Sequence, residues 1–280
     1  MRNLFMCFPG GLKKALTLSY DDGVEQDKRL IEIMVKNGIK GTFNLNSGCF
    51  APEGTVYPEG TIHRRMSENE VKNLYTKNGM EVATHGFLHP FYTRMKTQLA
   101  LKDIVDDRLA LESLFDTIVK GHAYPFGAYN DEAVDILKTA GIVYARTVNS
   151  THNFEIPTDW LKLNPTCHHD DPELFNLADK FIDAKDNWGY SMLFYLWGHA
   201  YEFEANNNWN RIEEFCEKVS NKQDIWYATN IEVYNYVKAF DELVYDMNLT
   251  KVYNPTALTI WFDIYGKKYK VNPGETISLS

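Results

Sequence analysis

The sequence predicts an α/β fold in which parallel strands, each followed by a helix, curl into a closed or nearly closed barrel. Three observations carry that expectation. Short apolar β-like runs alternate with stretches whose apolar residues recur at helical spacing, about seven times along the chain, as βαβ units require. The apolar β-like runs look buried on both faces. Helix caps and stop signals fall at the junctions between the two kinds of segment.

The first strand reads over Ala15–Tyr20 and ends at Asp21-Asp22-Gly23. From Val24 to Lys36, Leu30, Ile31, Met34 and Val35 fall at helical spacing, and Asn37-Gly38 stops the helix. A second strand spans Lys40–Leu45. Ser67-Glu68-Asn69-Glu70 is a capping box that opens a helix running to Lys77, and Met80–Thr84 is a third strand that delivers His85. A helix over Thr97–Asp116 precedes a strand over Val119–Tyr124 and the tripeptide Pro125-Phe126-Gly127. Helices then follow over Asp131–Ala140, Pro172–Asp186, Asn208–Val219 and Ile231–Met247. The strands between them read over Ile142–Val148, Met192–Trp197 and Asp224–Ala228.

The tail differs from this beat. Alternation in Leu258–Phe262, Tyr269–Val271 and Gly274–Ile277, with a Gly266-Lys267-Lys268 turn, reads as antiparallel strands. Residues 1–250 are therefore expected to form the barrel, with 251–280 a small β extension packed on it, too short for a core of its own. A net charge of −9 with no basic stripe argues against nucleic-acid binding. The 14% of aromatic residues suits core packing, and also a sugar-binding cleft. Cys7, Cys49, Cys167 and Cys216 are scattered, as reduced thiols would be. No apolar run is long enough to cross a bilayer, and Met1–Leu12 lacks the apolar stretch of a signal peptide, so a cytoplasmic protein is the default expectation.

The residues with chemistry to offer collect at strand ends. Asp21 and Asp22 follow the first strand, His85 and His89 the third, and His199 follows Met192–Trp197. In parallel α/β barrels that end of the strands is where reactive groups gather. Two imidazoles at i and i+4 share a face of a helical turn, and a carboxylate completes a set of two His and one acid. Three protein ligands leave positions open for water and substrate. Taken alone, an H-x-x-x-H is a weak sign, and Asp-Asp-Gly reads first as a capped turn.

Together the motifs are more specific. Ser19-Tyr20-Asp21-Asp22-Gly23, Thr84-His85-Gly86-Phe87-Leu88-His89-Pro90, Tyr124-Pro125-Phe126-Gly127 and Gly198-His199 resemble, in order and spacing, the motifs of the polysaccharide deacetylases. These are the NodB-homology proteins of carbohydrate esterase family four, and the resemblance spans roughly residues 13–240. It implies a distorted (β/α)7 barrel and a hydrolase that removes N-acetyl groups from a carbohydrate. Asp22, His85 and His89 would hold a divalent metal, zinc by preference, with cobalt, nickel or manganese as alternatives. Asp21 would be the general base and His199 the general acid. The backbone at Pro125 and Phe126 would help to hold the oxyanion. A general base, a general acid and a Lewis acid are the groups that amide hydrolysis needs.

The chain departs from the pattern in places. Where the family has an arginine beside its base, two residues before the motif proline, this chain has Ala123; Arg146 is the nearest chemically suitable substitute. Asp159-Trp160 could stand for the family's Asp-Trp motif, and Cys167-His168-His169-Asp170 could bind a second metal, although no family motif claims it. Two other readings keep the fold: an amidohydrolase of a small non-sugar amide, and a glycan-binding protein without turnover. The partner expected is thus an N-acetylated carbohydrate or a small amide, and neither nucleic acid nor a membrane. The oligomeric state is left open.

Overall fold

The computed structural model describes residues 4–185 and 189–279. The expected helix end at Asp186, and the outermost residues Met1 and Ser280, lie outside the described residues. The chain opens with β1 (Leu4–Cys7) and then the central strand β2 (Lys14–Asp21). The parallel sheet continues through β3 (Gly41–Leu45), β4 (Glu81–Thr84), β5 (Gly121–Ala123), β6 (Tyr144–Arg146), β7 (Cys167–His168), β8 (Met192–Gly198) and β9 (Ile225–Tyr227). Its order is β6-β5-β4-β3-β2-β8-β7. β8 occupies one edge of β2 along Lys14–Tyr20, while β9 (at Lys14–Leu16) and β3 (at Leu18–Asp21) divide the other. Between β6 and β7 no ladder forms among the described residues. A single bridge from Arg146 to Leu163 spans part of the gap. The sheet is thus a distorted, incompletely closed (β/α)7-type barrel, as expected.

All seven expected strands are present. The two-residue β7 was missed because so short a run has no readable alternation. Helices α1 (Asp27–Lys36), α2 (Glu68–Lys77), α3 (Thr97–Phe115), α4 (Asp131–Thr139), α5 (Leu174–Asp183), α6 (Ala200–Ala205), α7 (Trp209–Val219) and α8 (Asn230–Asp241) accompany the strands. α2 starts at the expected capping box, with Ser67 and Glu70 bonding reciprocally. The helix expected to reach Met247 stops at Asp241. Instead, β10 (Val244–Tyr245) pairs with β11 (Lys251–Tyr253), because the chain turns back at Asp246–Thr250.

β2 shows how the two faces differ. Leu16, Leu18 and Tyr20 face outward and are buried with Leu30, Ile31 and Met34 of α1. The alternate residues point into the barrel, where the lining is polar. Thr17 Oγ1 donates to Asn230 Oδ1 (2.7 Å), Asn230 Nδ2 donates to Tyr195 Oη (2.8 Å), and Tyr144 Oη donates to Glu81 Oε1 (2.6 Å). A second apolar cluster joins α8 and β8 to the remaining strands, β12 (Ile260–Ile264) and β13 (Lys267–Val271). β12 pairs antiparallel with both β13 and β1, so both ends of the chain share one small sheet, and β14 (Thr276–Ser278) pairs with β11.

None of the four cysteines is paired, and no described helix is long and apolar enough to cross a membrane. Removing the α2 cap by Ser67→Ala should cost about 1 kcal/mol. In urea titrations the midpoint should fall with an unchanged slope.

Candidate active site

The carboxyl ends of β2, β4 and β8 converge, and they bring Asp21, Asp22, His85, His89 and His199 together. The parallel register sets this up: Asp21 stands beside Asn44 of β3, and Tyr20 beside Gly198 of β8. Ligand atoms of Asp22, His85 and His89 all lie within 4.8 Å of one another. The two imidazoles do not meet on a helical turn, as the spacing suggested. Residues 85–91 form an irregular loop, His89 has a left-handed backbone (φ 54°), and the rings stand edge to face at 4.7 Å. Asp22 (φ 88°) and Phe126 (φ 59°) are also left-handed, so backbone strain gathers at the site.

His85 carries the clearest sign of a metal ligand. Its Nδ1 lies 2.8 Å from the Ala123 carbonyl, which can only accept, so Nδ1 holds the proton and Nε2 keeps its lone pair. That Nε2 is buried and has no hydrogen-bond partner among the described residues. Burial lowers the pKa of His85, and burial together with the neighbouring His85 imidazole, which disfavours a second positive charge, lowers that of His89 to about 4, so both stay neutral. A neutral imidazole pair beside an ionised Asp22 is a donor set suited to a divalent cation.

Supports around these groups were not legible in the sequence. Asp22 Oδ1 accepts from Arg65 Nη2 (2.9 Å), and Oδ2 lies 3.2 Å from His63 Nε2. These partners overcome burial and hold the Asp22 carboxyl far below its usual range. Asn46 Nδ2 donates to the carbonyls of His85 (2.5 Å) and Gly86 (2.9 Å), while its Oδ1 accepts from Arg65 (2.8 Å). The histidine loop is braced from below by α3. Asp107 accepts from the His85 N–H (3.1 Å) and the Ser47 N–H (2.8 Å); Asp103 accepts from the N–H groups of Phe87 (2.9 Å) and Leu88 (3.1 Å).

Asp21 is 2% exposed and ionic contacts surround it. Arg146 Nη2 donates to its Oδ2, Asn44 Nδ2 donates to Oδ1 (2.8 Å), and His85 Nε2 and His199 Nε2 lie 3.6 and 3.8 Å from Oδ2. Burial pushes its pKa up, but Arg146 and the two histidines outweigh burial and leave it below the usual carboxylate range. Arg146 is itself 1% exposed and lies 4.3 Å over the Trp197 ring. The register explains its place: Arg146 of β6 stands directly beside Ala123 of β5. It faces Asp21, not the open cleft. Removing one partner from such a buried pair costs about 3–5 kcal/mol.

His199 caps the start of α6, and Glu202 three residues on returns to it, its Oε1 lying 3.3 Å from Nδ1. Burial would lower the His199 pKa, but the Glu202 carboxylate and the Asp21 charge raise it above the ordinary imidazole value. Phe126 is 54% exposed in a tight turn after Pro125, stacked on Phe91 at 3.7 Å and edge-on to His89 at 4.4 Å. Asp159 caps a short turn and Trp160 is buried against Tyr234, away from the histidines. His168 and His169 meet at Glu202, which offers a second set of ligand atoms within 4.8 Å.

The polysaccharide deacetylase family model matches residues 10–145, which include Asp21, Asp22, His85, His89 and Pro125-Phe126-Gly127 but not His199. No curated protein matches the chain. Among solved structures, a Mycobacterium smegmatis protein assigned to the polysaccharide deacetylases is 15% identical, with TM-score 0.59 over 86% of this chain and 96% of its own. A mutant of the Bacillus subtilis peptidoglycan deacetylase PdaC is 17% identical, with TM-score 0.53 over 82% of this chain and 94% of its own. The Xyl-CE4 domain of a multidomain xylanase from the hindgut metagenome of Trinervitermes trinervoides is 15% identical, with TM-score 0.53 over 81% of this chain and 92% of its own. At these identities the likeness establishes a shared fold.

The bracing by α3 yields a test. Asp107→Ala removes one of the two acceptors of the His85 N–H, leaving the Leu45 carbonyl, and should weaken metal binding about 10–100-fold, as outer-shell changes do. Competition with a chromophoric chelator measures that loss.

Proposed function

Taking the chain as a member of the polysaccharide deacetylase family, we propose that it is a metal-dependent hydrolase that removes an acetyl group from nitrogen on a carbohydrate. The observation that carries the reading is the buried, unpartnered Nε2 of His85 beside Asp22 and His89. Asp22, His85 and His89 are the residues that would hold the ion. A divalent cation there supplies a Lewis acid that acidifies water and polarises the acyl oxygen.

The chain's own groups perform the proton transfers. Asp21, fixed by Arg146 and Asn44, faces the ligand set and collects a proton from the attacking water. Its lowered pKa keeps it ionised and ready across neutral pH. The Phe126 N–H, after Pro125, is the donor we assign to the developing oxyanion; the Phe126 ring packs edge-on to His89. His199 approaches Asp21 from the end of the neighbouring strand β8 and gives its proton to the departing amine, which cannot leave as an anion. Its raised pKa keeps that proton available near neutrality.

Asp22→Ala and His89→Ala should each lose bound metal, read by elemental analysis, together with acetate release from chito-oligosaccharides. Full acetate release from metal-stripped Asp22→Ala protein contradicts the proposal. Because His199 works protonated, activity should decline as pH rises through its pKa. Glu202 helps to hold that pKa up, so Glu202→Gln should move the alkaline decline of kcat to lower pH. An unmoved alkaline limb in that variant excludes His199 as the acid.

A further inference from the structure

His168 and His169 lie outside the catalytic set, yet both reach it through Glu202. Glu202 Oε2 is 3.1 Å from His168 Nε2 and 3.2 Å from His169 Nε2, while Oε1 is 3.3 Å from His199 Nδ1. A His-His-Glu set of this kind matches the composition of the first cluster, and its ligand atoms are as close together. The tautomers separate the two. His168 Nδ1 accepts from the Asp170 N–H (3.1 Å), so Nδ1 carries no proton and Nε2 must carry one. A protonated Nε2 has no lone pair for a metal and presents a donor to Glu202. In His85 the order is reversed, because Nδ1 donates to a carbonyl.

His169 points the same way. The ring is fully buried between Tyr20 and Phe203, and neither of its nitrogens has an aligned hydrogen-bond partner among the described residues. Its Nδ1 lies against Gly198, where an added Cβ would come within 2.0 Å. No outer acceptor stands there to hold a proton on Nδ1, the usual partner of a metal-binding histidine. The glycine before His199 is therefore what admits the His169 ring beneath Glu202. With Nδ1 closed off, Nε2 is the edge that His169 turns toward the carboxylate.

We propose that His168 and His169 are positioning residues: they hold the Glu202 carboxylate in the orientation that fixes the tautomer of His199, and their cluster carries protons instead of a second metal ion. The proposal rests on the reading of His199 as the proton donor. Glu202 has two oxygens and three imidazole neighbours. With Oε2 facing His168 Nε2 at 3.1 Å and His169 Nε2 at 3.2 Å, Oε1 is the oxygen nearest His199 Nδ1, at 3.3 Å. The proton to be transferred then sits on Nε2, the edge that faces Asp21 at 3.8 Å.

The test compares wild type with His168→Ala and His168→Gln, the glutamine amide offering a donor near the place of Nε2. Long-range proton–nitrogen NMR reads the His199 tautomer without substrate, and elemental analysis reads metal per chain. His168→Ala should reduce the population with a proton on His199 Nδ1 and lower kcat about tenfold with KM changed less than twofold; His168→Gln should restore most of both. Metal content should be one ion per chain in all three proteins. Two ions in wild type, with one lost in His168→Ala, overturns the proposal in favour of a second metal site. An unchanged His199 tautomer and kcat in His168→Ala overturns it too. If wild type releases no acetate from any carbohydrate, the hydrolase reading fails, while the tautomer and metal readouts still decide the role of His168.

Discussion

The site depends on keeping one carboxylate ionised where almost no water reaches it. Asp21 ends the central strand of the barrel, 2% exposed, and its charge is tolerated because Arg146 faces it from β6 and Asn44 donates from β3. Those partners come from strands on the same run of the sheet, so the ion pair links strand register to chemistry. Arg146 is anchored in turn against the Trp197 ring on β8. The barrel interior leads up to this pair through polar side chains, and the apolar core lies outside, under the helices.

Around that pair the protein builds two histidine clusters of similar composition and opposite chemistry. What distinguishes them is which ring nitrogen is occupied by the main chain. A carbonyl at His85 Nδ1 leaves a lone pair pointing inward, whereas an N–H at His168 Nδ1 leaves a proton pointing at Glu202. Each cluster sets two histidines beside one carboxylate. The backbone groups beside them decide which is suited to a cation and which to a carboxylate.

This contrast marks how far the sequence could be read. The seven strands, the α2 capping box and the residues of the first cluster are legible, because they depend on local periodicity and on motif order. Arg146 is legible as a candidate by its chemistry, but its pairing with Asp21 is set by the β5–β6 register, which no local pattern carries. The supports are harder still. Asp103 and Asp107 lie on the same face of α3 as Ala100, Ile104 and Leu111, and two acids on a buried face are the signal that was available. Arg65 and His63 sit in a loop without periodicity, and the loop's path over Asp22 is fixed by tertiary contacts. Glu202 was recoverable from its three-residue spacing to His199. His168 and His169 stood out in the sequence, but only the fold brings them to that carboxylate.

The central claim is that the two clusters differ in kind, with the ion held by Asp22, His85 and His89. Anomalous scattering from crystals grown with zinc, recorded on both sides of the metal's absorption edge, locates that ion. One peak bounded by the Asp22 carboxylate and the His85 and His89 imidazoles is the result expected. A peak among His168, His169 and Glu202 with none at Asp22 contradicts it.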